Sequence, residues 1–153
     1  MIQRVQSLYL FFSVISMALM LIFPIAKLIG LGDISYEYLF YGIITAGDKG
    51  EVVISAIPLA CLLAAIPLVS LTTLFLFRYR ILQIRLCVFN ILLMIGALVL
   101  TWYYTYLAGK TLNVEALFSF PAIMPLVAAI LSYLAFRGIR RDELLIRSVD
   151  RIR

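Results

Sequence analysis

The side chains that could do chemistry are few, and their types argue against most kinds of catalysis. The sequence has no histidine, no glycine-rich phosphate loop and no G-x-S-x-G or H-E-x-x-H motif. General acid–base catalysis, metal binding and proton relays usually need histidine or carboxylates within a site. An enzyme would have to use loop carboxylates such as Asp33, Glu37 or Glu115 at a membrane surface. We therefore expect a protein that is not an enzyme and has no catalytic residue, metal or cofactor.

Four stretches without any charged residue must position whatever functional side chains exist. They cover residues 5–26, 52–77, 86–109 and 116–136, and they are 22, 26, 24 and 21 residues long. The chain is 65% hydrophobic and 14% charged, whereas a soluble domain carries about 25% charged residues. Because about 20 apolar helical residues cross a bilayer core, each stretch predicts a transmembrane helix. The lack of an ionisable group in these stretches also argues against an ion-coupled transporter.

The predicted fold is an all-α membrane protein, an antiparallel bundle of four transmembrane helices forming one membrane domain over residues 1–153. In the first outer loop, residues 34–41 alternate in a period of two, so this loop can contain a short β-element. Residues 137–153 are predicted to form a cytoplasmic amphipathic tail. The predicted helices place Cys61 and Cys87 at different depths, so we expect small buried side chains and no disulfide.

The charges outside the four stretches are sorted by type. The N-terminus, the connection after the second stretch and the tail contain all ten arginines, whereas the three lysines lie on the other side. Basic residues accumulate in the cytoplasmic segments of membrane proteins. We therefore predict a multi-pass protein of the bacterial inner membrane with both termini in the cytoplasm. The net charge of +5 is explained in this way, and we expect no nucleic-acid partner.

The C-terminal tail is the first candidate contact site. Leu145, Val149 and Ile152 are spaced at i, i+4 and i+7, which places them on one face of a helix among arginines. Three interpretations remain open: a solvated helix end, a helix on the anionic membrane surface, and a docking site for a protein partner. The residues expected to contact a partner or lipid are Arg140, Arg141, Leu145, Arg147, Val149, Arg151 and Ile152.

The second candidate site is a cleft on the outer side. Proline bends a helix because it removes a backbone hydrogen bond, and several bends in one leaflet can open a cleft lined by aromatic rings. The alternative is that the aromatic residues form an interfacial belt and that the prolines are ordinary features of membrane helices. The residues of this cleft would be Tyr36, Tyr38, Pro58, Trp102, Tyr103, Pro121 and Pro125.

Small and polar residues within the stretches predict how the helices pack. Small residues at helical spacing allow close approach, either within the bundle or at a subunit interface. Asn90 is expected to bond to a neighbouring helix, with a ligand contact as the alternative. The two ridges of small residues are Ala56, Ala60 and Ala64, and Ala128, Ser132 and Ala135.

Three segments of the sequence resemble a known family: MIQRVQSLYL, RYRILQIRLCVFNILL and RRDELLIRSVDRIR. The family consists of small bacterial inner-membrane proteins with four predicted helices and is defined as a domain of unknown function. The resemblance covers the whole chain and implies an inner-membrane location, but it implies no reaction, ligand or functional residue.

Many packing features and no chemical ones favour a non-catalytic accessory or structural subunit. It would pack in the membrane with itself or with a larger complex, and its arginine-rich tail would contact a partner or anionic lipids. The alternative is a binder or carrier of an apolar ligand, such as a lipid or a quinone, in the outer-leaflet cleft.

Overall fold

The computed structural model describes residues 3–30, 35–46, 51–76 and 79–150, with the backbone alone for residues 3–4 and 146–150. The described part contains four α-helices, five β-strands and one short 3-10 helix. The helices are α1 (Gln3–Ile22), α2 (Ile57–Phe75), α3 (Arg80–Leu112) and α4 (Met124–Asp150), and the 3-10 helix Phe120–Ile123 precedes α4. The strands are β1 (Ala26–Ile29), β2 (Ser35–Leu39), β3 (Gly42–Thr45), β4 (Val52–Ser55) and β5 (Glu115–Phe118).

The five strands form one antiparallel sheet in the order β4-β3-β2-β1-β5. Strand β1 lies between β2 and β5 and pairs with both, so Ala26 lies opposite Tyr38 of β2 on one side and Phe118 of β5 on the other. Alternate residues of β1 are buried, as expected for a sheet with one covered face. Gly42 pairs with β4, where a Cβ atom would lie 2.5 Å from the Ile54 carbonyl oxygen, so this close approach requires glycine.

The four helices pack side by side, and each contacts its neighbours in the circular order α1-α2-α3-α4. Strands follow the ends of α1 and α3 and precede the starts of α2 and α4, so adjacent helices are antiparallel. We call the end where the strands lie the sheet end. The opposite end contains the start of α1, the connection between α2 and α3, and residues 137–150 of α4. We call it the arginine end.

Interhelical hydrogen bonds fix the register of the helices. The Gln83 amide of α3 donates to the Thr73 carbonyl oxygen at the end of α2 at 3.1 Å, so the start of α3 is level with the end of α2. Since α3 has 33 residues and α2 has 19, α3 extends past α2 at the sheet end by about 20 Å. This extension packs against the sheet, where Tyr104 and Leu112 contact the buried cluster that contains Tyr38 and Leu28.

Polar side chains join the helices in the interior. The Asn90 amide nitrogen of α3 donates to Ser70 Oγ of α2 at 2.6 Å, which confirms that Asn90 bonds to a neighbouring helix. Ser13 Oγ of α1 lies 3.1 Å from Ser132 Oγ of α4 and donates to the Ala128 carbonyl oxygen at 3.3 Å. Among the described residues, no aspartate, glutamate, lysine or arginine is buried.

The predicted ridges and cysteines have mixed outcomes. Ala128, Ser132 and Ala135 are fully buried, so the ridge on α4 serves packing within the protein. In the other ridge, Ala56 is fully buried, Ala60 is half-buried and Ala64 is exposed, so only its first part faces the interior. Both cysteines are free, as expected, but only Cys87 is buried, whereas Cys61 points outward.

The predicted fold class, an all-α bundle with at most a short β-element, is wrong, because the protein contains a five-stranded antiparallel sheet. The absence of charge marks an apolar segment but does not distinguish a helix from a strand. Residues 52–55, at the start of the second uncharged stretch, form β4, and their β-branched side chains favour extended backbone. Residue 26 and residues 116–118, which the uncharged stretches place in helices, belong to the paired strands β1 and β5, where Ala26 lies opposite Phe118.

The four helices are nevertheless long and apolar enough to cross a membrane. The candidate spans are Val5–Ile22, Ile57–Phe75, Arg80–Leu112 and Phe120–Leu145. These bounds differ from the predicted helices at both ends. At the sheet end, strands replace predicted helical turns at residue 26 and at residues 52–55 and 116–118, and at the arginine end α3 begins at Arg80 and not at residue 86. The tail also differs, because residues 137–150 do not form a separate amphipathic helix but continue α4 without a break.

Candidate functional site

The C-terminal part of α4 carries a surface groove of about 680 Å³ in which arginines meet apolar side chains. Arg137, Arg140 and Arg141 line it on one side of the helix, at spacings that place them on a common face. Tyr133 and Phe136 line its end towards the middle of α4, and Leu144 and Leu145 line its other end. No described residue of another element lines this groove, so this face of α4 has no packing partner there.

The three arginines give the groove a concentrated positive charge. All three are exposed. Within the part of the chain that the structure describes, none of them forms an ion pair with a carboxylate. A guanidinium group is planar and presents paired N–H donors, which match the oxygen atoms of a carboxylate or phosphate. The groove can therefore bind an anionic group that also carries an apolar portion.

A polar contact on the opposite face of α4 holds this segment in place. Gln6 Nε2 of α1 donates to Asp142 Oδ2 at 2.6 Å. One turn earlier, the three nearest atoms to an added Cβ at Gly138 would all belong to Gln6, at 3.0 to 3.4 Å. Glycine thus lets the Gln6 side chain lie against the α4 backbone, and residues 138–142 are fixed beside the start of α1.

The predicted tail residues fall into three groups. Arg140, Arg141 and Leu145 come together in the groove. Arg147 and Val149 lie on α4, but only their backbone is described. Arg151 and Ile152 lie outside the described residues.

A second groove, of about 450 Å³, lies at the sheet end between α3 and the segment that leads into α4. Leu98 and Trp102 of α3 form one wall, and Phe118, Phe120 and Ile123 form the other. Thr101 also lines it and is 4% exposed, and its Oγ1 atom has no hydrogen-bond partner in the structure. The groove is thus almost entirely apolar and aromatic.

The structure does not bring the seven residues of the predicted outer cleft together in this groove. Trp102 alone of the seven lines it, while Tyr103 is exposed on α3. Pro58, Pro121 and Pro125 lie in the first turns of helices, where a missing N–H group leaves no bond broken, so these three prolines do not provide the expected bends. The remaining two residues, Tyr36 and Tyr38, belong to β2.

Tyr38 is fully buried beneath the sheet, and its hydroxyl has no hydrogen-bond partner among the described residues. Burial raises the pKa of the Tyr38 phenol well above its ordinary value, and the nearby Tyr104 raises it further. The phenol is therefore neutral in the folded protein. It is a structural residue of the sheet and does not line the groove beside Trp102.

Sequence reasoning missed Gln6 and Gly138, because it searched the apolar stretches for charge. A usable signal was present, since residues 6, 10, 13, 17 and 20 follow the helical spacing of one face of α1. All five are buried in the structure, so Gln6 belongs to the inward face.

Among the described residues, no group of three histidine, cysteine or carboxylate side chains could hold a metal ion.

The four helices are long and apolar enough to cross a membrane and have exposed apolar exteriors, with the arginine-lined groove at one end and a small sheet at the other. The sequence matches the family described as "Domain of unknown function (DUF4293)" over residues 2–152, and the chain belongs to this family. No curated protein matches the sequence significantly.

Proposed function

We propose that this protein is a non-catalytic accessory or structural subunit of the bacterial inner membrane. It packs in the membrane with itself or with a larger complex, and it uses the arginine-lined face of α4 as its contact on the cytoplasmic side. The observation that carries this proposal is the groove of Arg137, Arg140 and Arg141, which combines positive charge with an apolar wall and has no packing partner among the described residues.

The interior of the helices supports a packing role. The buried polar side chains of Ser13, Ser132, Asn90 and Gln83 are engaged in bonds between helices, which fix the helices to one another. The described interior contains no charged side chain. Ion-coupled transport and proton relays normally use such groups within the membrane.

The orientation is proposed from charge. The arginine end contains the start of α1, the start of α3 and the C-terminal part of α4, which carry all seven arginines of the described residues. The positive-inside rule therefore favours a cytoplasmic arginine end and an outer sheet end.

The accessory role can be tested by purification of tagged protein after cross-linking in native membranes. A partner protein, or a second copy of the chain, should co-purify with the wild type and be reduced in the variant Arg140→Gln/Arg141→Gln. The matched control Arg80→Gln/Arg85→Gln removes two arginines at the same end on α3 and should retain the partner. A wild-type protein that is recovered only as an uncross-linked monomer would contradict the proposal.

The second candidate function is binding of an apolar ligand in the groove beside Trp102. The observation that favours it is the combination of aromatic walls with the buried, unpartnered hydroxyl of Thr101. Native mass spectrometry after mild extraction should then show a retained lipid or quinone that Trp102→Ala and Phe120→Ala release. Retention that is unchanged in both variants would exclude this groove as the site.

A further inference from the structure

We propose that the groove on α4 is a binding site for an anionic phospholipid of the cytoplasmic leaflet, with its phosphate on Arg140 and Arg141 and an acyl chain along Tyr133 and Phe136. This inference rests on the proposed function, because it assumes that the arginine end faces the cytoplasm. It adds the chemical identity of the partner and the residues that would bind each portion of it.

The depth of the groove agrees with the boundary between headgroups and hydrocarbon. The bond from Gln6 to Asp142 places Arg140 and Arg141 level with Gln6, near the start of α1. From Gln6 to Ile22 at the end of α1 are 16 residue steps (22 minus 6), or about 24 Å of helix. A bilayer core is about 30 Å thick, so Gln6 and the two arginines lie close to its edge.

The two walls of the groove match the two portions of a phospholipid. Tyr133 and Phe136 lie one to two turns from Arg140 towards the middle of α4, at hydrocarbon depth. Tyr133 and Ile130 are each more than half exposed, so the apolar wall is continuous with the outward surface of α4 that acyl chains would cover. Arg137 lies between the two portions, and its long side chain can extend towards the headgroups.

The charges favour a phosphate at the arginine-lined portion. The three guanidinium groups have no carboxylate ion pair within the described residues. Of the two acidic residues that follow them, Asp142 accepts a hydrogen bond from Gln6 on the opposite face, and Glu143 has an interaction of its own. A phosphodiester bound by two arginines would form charge-assisted, paired hydrogen bonds of the kind that guanidinium groups make best.

The experiment uses the full chain in nanodiscs of equal parts phosphatidylglycerol and phosphatidylcholine, followed by native mass spectrometry of the lipids retained. The wild type should retain phosphatidylglycerol in preference to phosphatidylcholine. Arg140→Gln/Arg141→Gln should reduce this preference by about tenfold or more. The control Arg80→Gln/Arg85→Gln changes the net charge equally at the same end and should reduce the preference much less, because neither arginine lines the groove.

Two further measurements distinguish the contribution of the lipid headgroup from that of the acyl chain. Tyr133→Ser, at an exposed position, should lower the amount of both lipids retained and leave their ratio unchanged. Glycerol phosphate, which has the headgroup chemistry without acyl chains, should not displace the bound lipid. Effective competition by glycerol phosphate would indicate a site for soluble anions and would overturn the proposal.

Equal losses of preference in the two double variants would indicate general electrostatic attraction and would also overturn the lipid site. A wild type that retains phosphatidylglycerol and phosphatidylcholine equally would also overturn the lipid site. If a protein partner then still co-purified in an arginine-dependent manner, the accessory role would stand and the lipid site alone would fail. Far-UV circular dichroism of every variant verifies that the helices remain folded.

Discussion

The contact between Gln6 and Gly138 allows a test in which two effects of one substitution oppose each other. Replacing a glycine in a helix interior by alanine stabilises the helix by about 1 kcal/mol. At Gly138, however, the new Cβ atom would lie 3.0 Å from Cγ and 3.2 Å from Nε2 of Gln6. The Gln6 side chain must therefore shift, which weakens its 2.6 Å bond to Asp142.

The size of the opposing effect can be estimated from that bond. A hydrogen bond to a charged acceptor contributes about 1.5–3 kcal/mol in soluble proteins, and interhelical bonds in membranes average about 0.6 kcal/mol. Gln6 and Asp142 lie near the edge of the span, so we expect an intermediate value of about 1–2 kcal/mol. Gly138→Ala should then leave the stability of the wild type unchanged or lower it by up to about 1 kcal/mol.

A double-mutant cycle with Gln6→Ala isolates this coupling. In the Gln6→Ala background, the atoms that would crowd the new Cβ are gone, so Gly138→Ala should stabilise the protein by about 1 kcal/mol. Gly96 in α3 is the matched control, because its Cβ would meet only Leu62 at an ordinary 3.7 Å. Gly96→Ala should stabilise both backgrounds by the same amount.

The assay is unfolding by SDS in mixed micelles, followed by far-UV circular dichroism and by the fluorescence of Trp102, the single tryptophan. If Gly138→Ala stabilised the wild type and the Gln6→Ala variant equally, the coupling would be zero. The packing of Gln6 between Gly138 and Asp142 would then be refuted, together with the register that depends on it.

Three further predictions concern other parts of the molecule. Tyr38→Phe should stabilise the protein by about 1 kcal/mol, because it removes a buried hydroxyl that has no partner; thermal unfolding monitored by circular dichroism measures this. Since the pKa of Tyr38 is raised by folding, the stability that depends on its neutral form is present below the ordinary value of 10.0 and is lost as pH rises above it. The wild type should therefore lose stability at alkaline pH more steeply than Tyr38→Phe, and parallel profiles would contradict the burial of this phenol. Asn113 ends α3 with a φ of 49°, so Asn113→Gly should leave the melting temperature unchanged, whereas Asn113→Ala should destabilise the protein by about 1 kcal/mol; equal effects of the two would argue against this left-handed conformation. A reporter enzyme active only outside the cytoplasm should be inactive when fused after Arg153 and active when inserted after Gly30, and the reverse pattern would invert the proposed orientation.

The sequence predicted the four apolar helices but not the sheet, and the reason lies in particular residues. Charge-free length identifies segments that avoid water, and it correctly marked all four spans. The pairing of β1 with β5 joins Ala26 to Phe118, which are 92 positions apart, and no local periodicity reveals such a partner. Alternation over residues 34–41 did indicate β2, but the same apolar character that favoured a helix concealed the strand at residues 52–55.

The candidate site was predictable where it depends on one helix and not where it depends on two. Arg140, Arg141 and Leu145, which were named from the tail sequence, do come together, because they lie within two turns of one helix. The prolines of the proposed outer cleft could not be placed, because proline begins a helix as readily as it bends one. The contact of Gln6 with Asp142 depends on how α1 and α4 are aligned, which one sequence does not determine.

The buried residues show why hydrophobicity could not predict that alignment. In an apolar 18-residue window of each candidate span, only 28–33% of the residues are buried, and the buried ones recur at intervals of four and three. Leu59, Leu63, Ile66, Ser70 and Thr73 follow this spacing on α2. Many of the inward positions are polar or small, whereas the outward positions include Phe11, Leu92 and Ile130.

This distribution follows from the solvent. Lipid tails are as apolar as leucine, so the association of helices in a membrane depends on close packing and on hydrogen bonds and not on the removal of apolar surface from water. A search for the most hydrophobic face of each helix therefore finds the outward side. The informative positions are the uncharged polar ones, and Gln6, Ser13, Asn90 and Ser132 specify which helices meet and at what level. The arginine-lined face of α4 stands out against this background because it has the opposite character, with exposed charge beside apolar side chains on a surface that no described element covers.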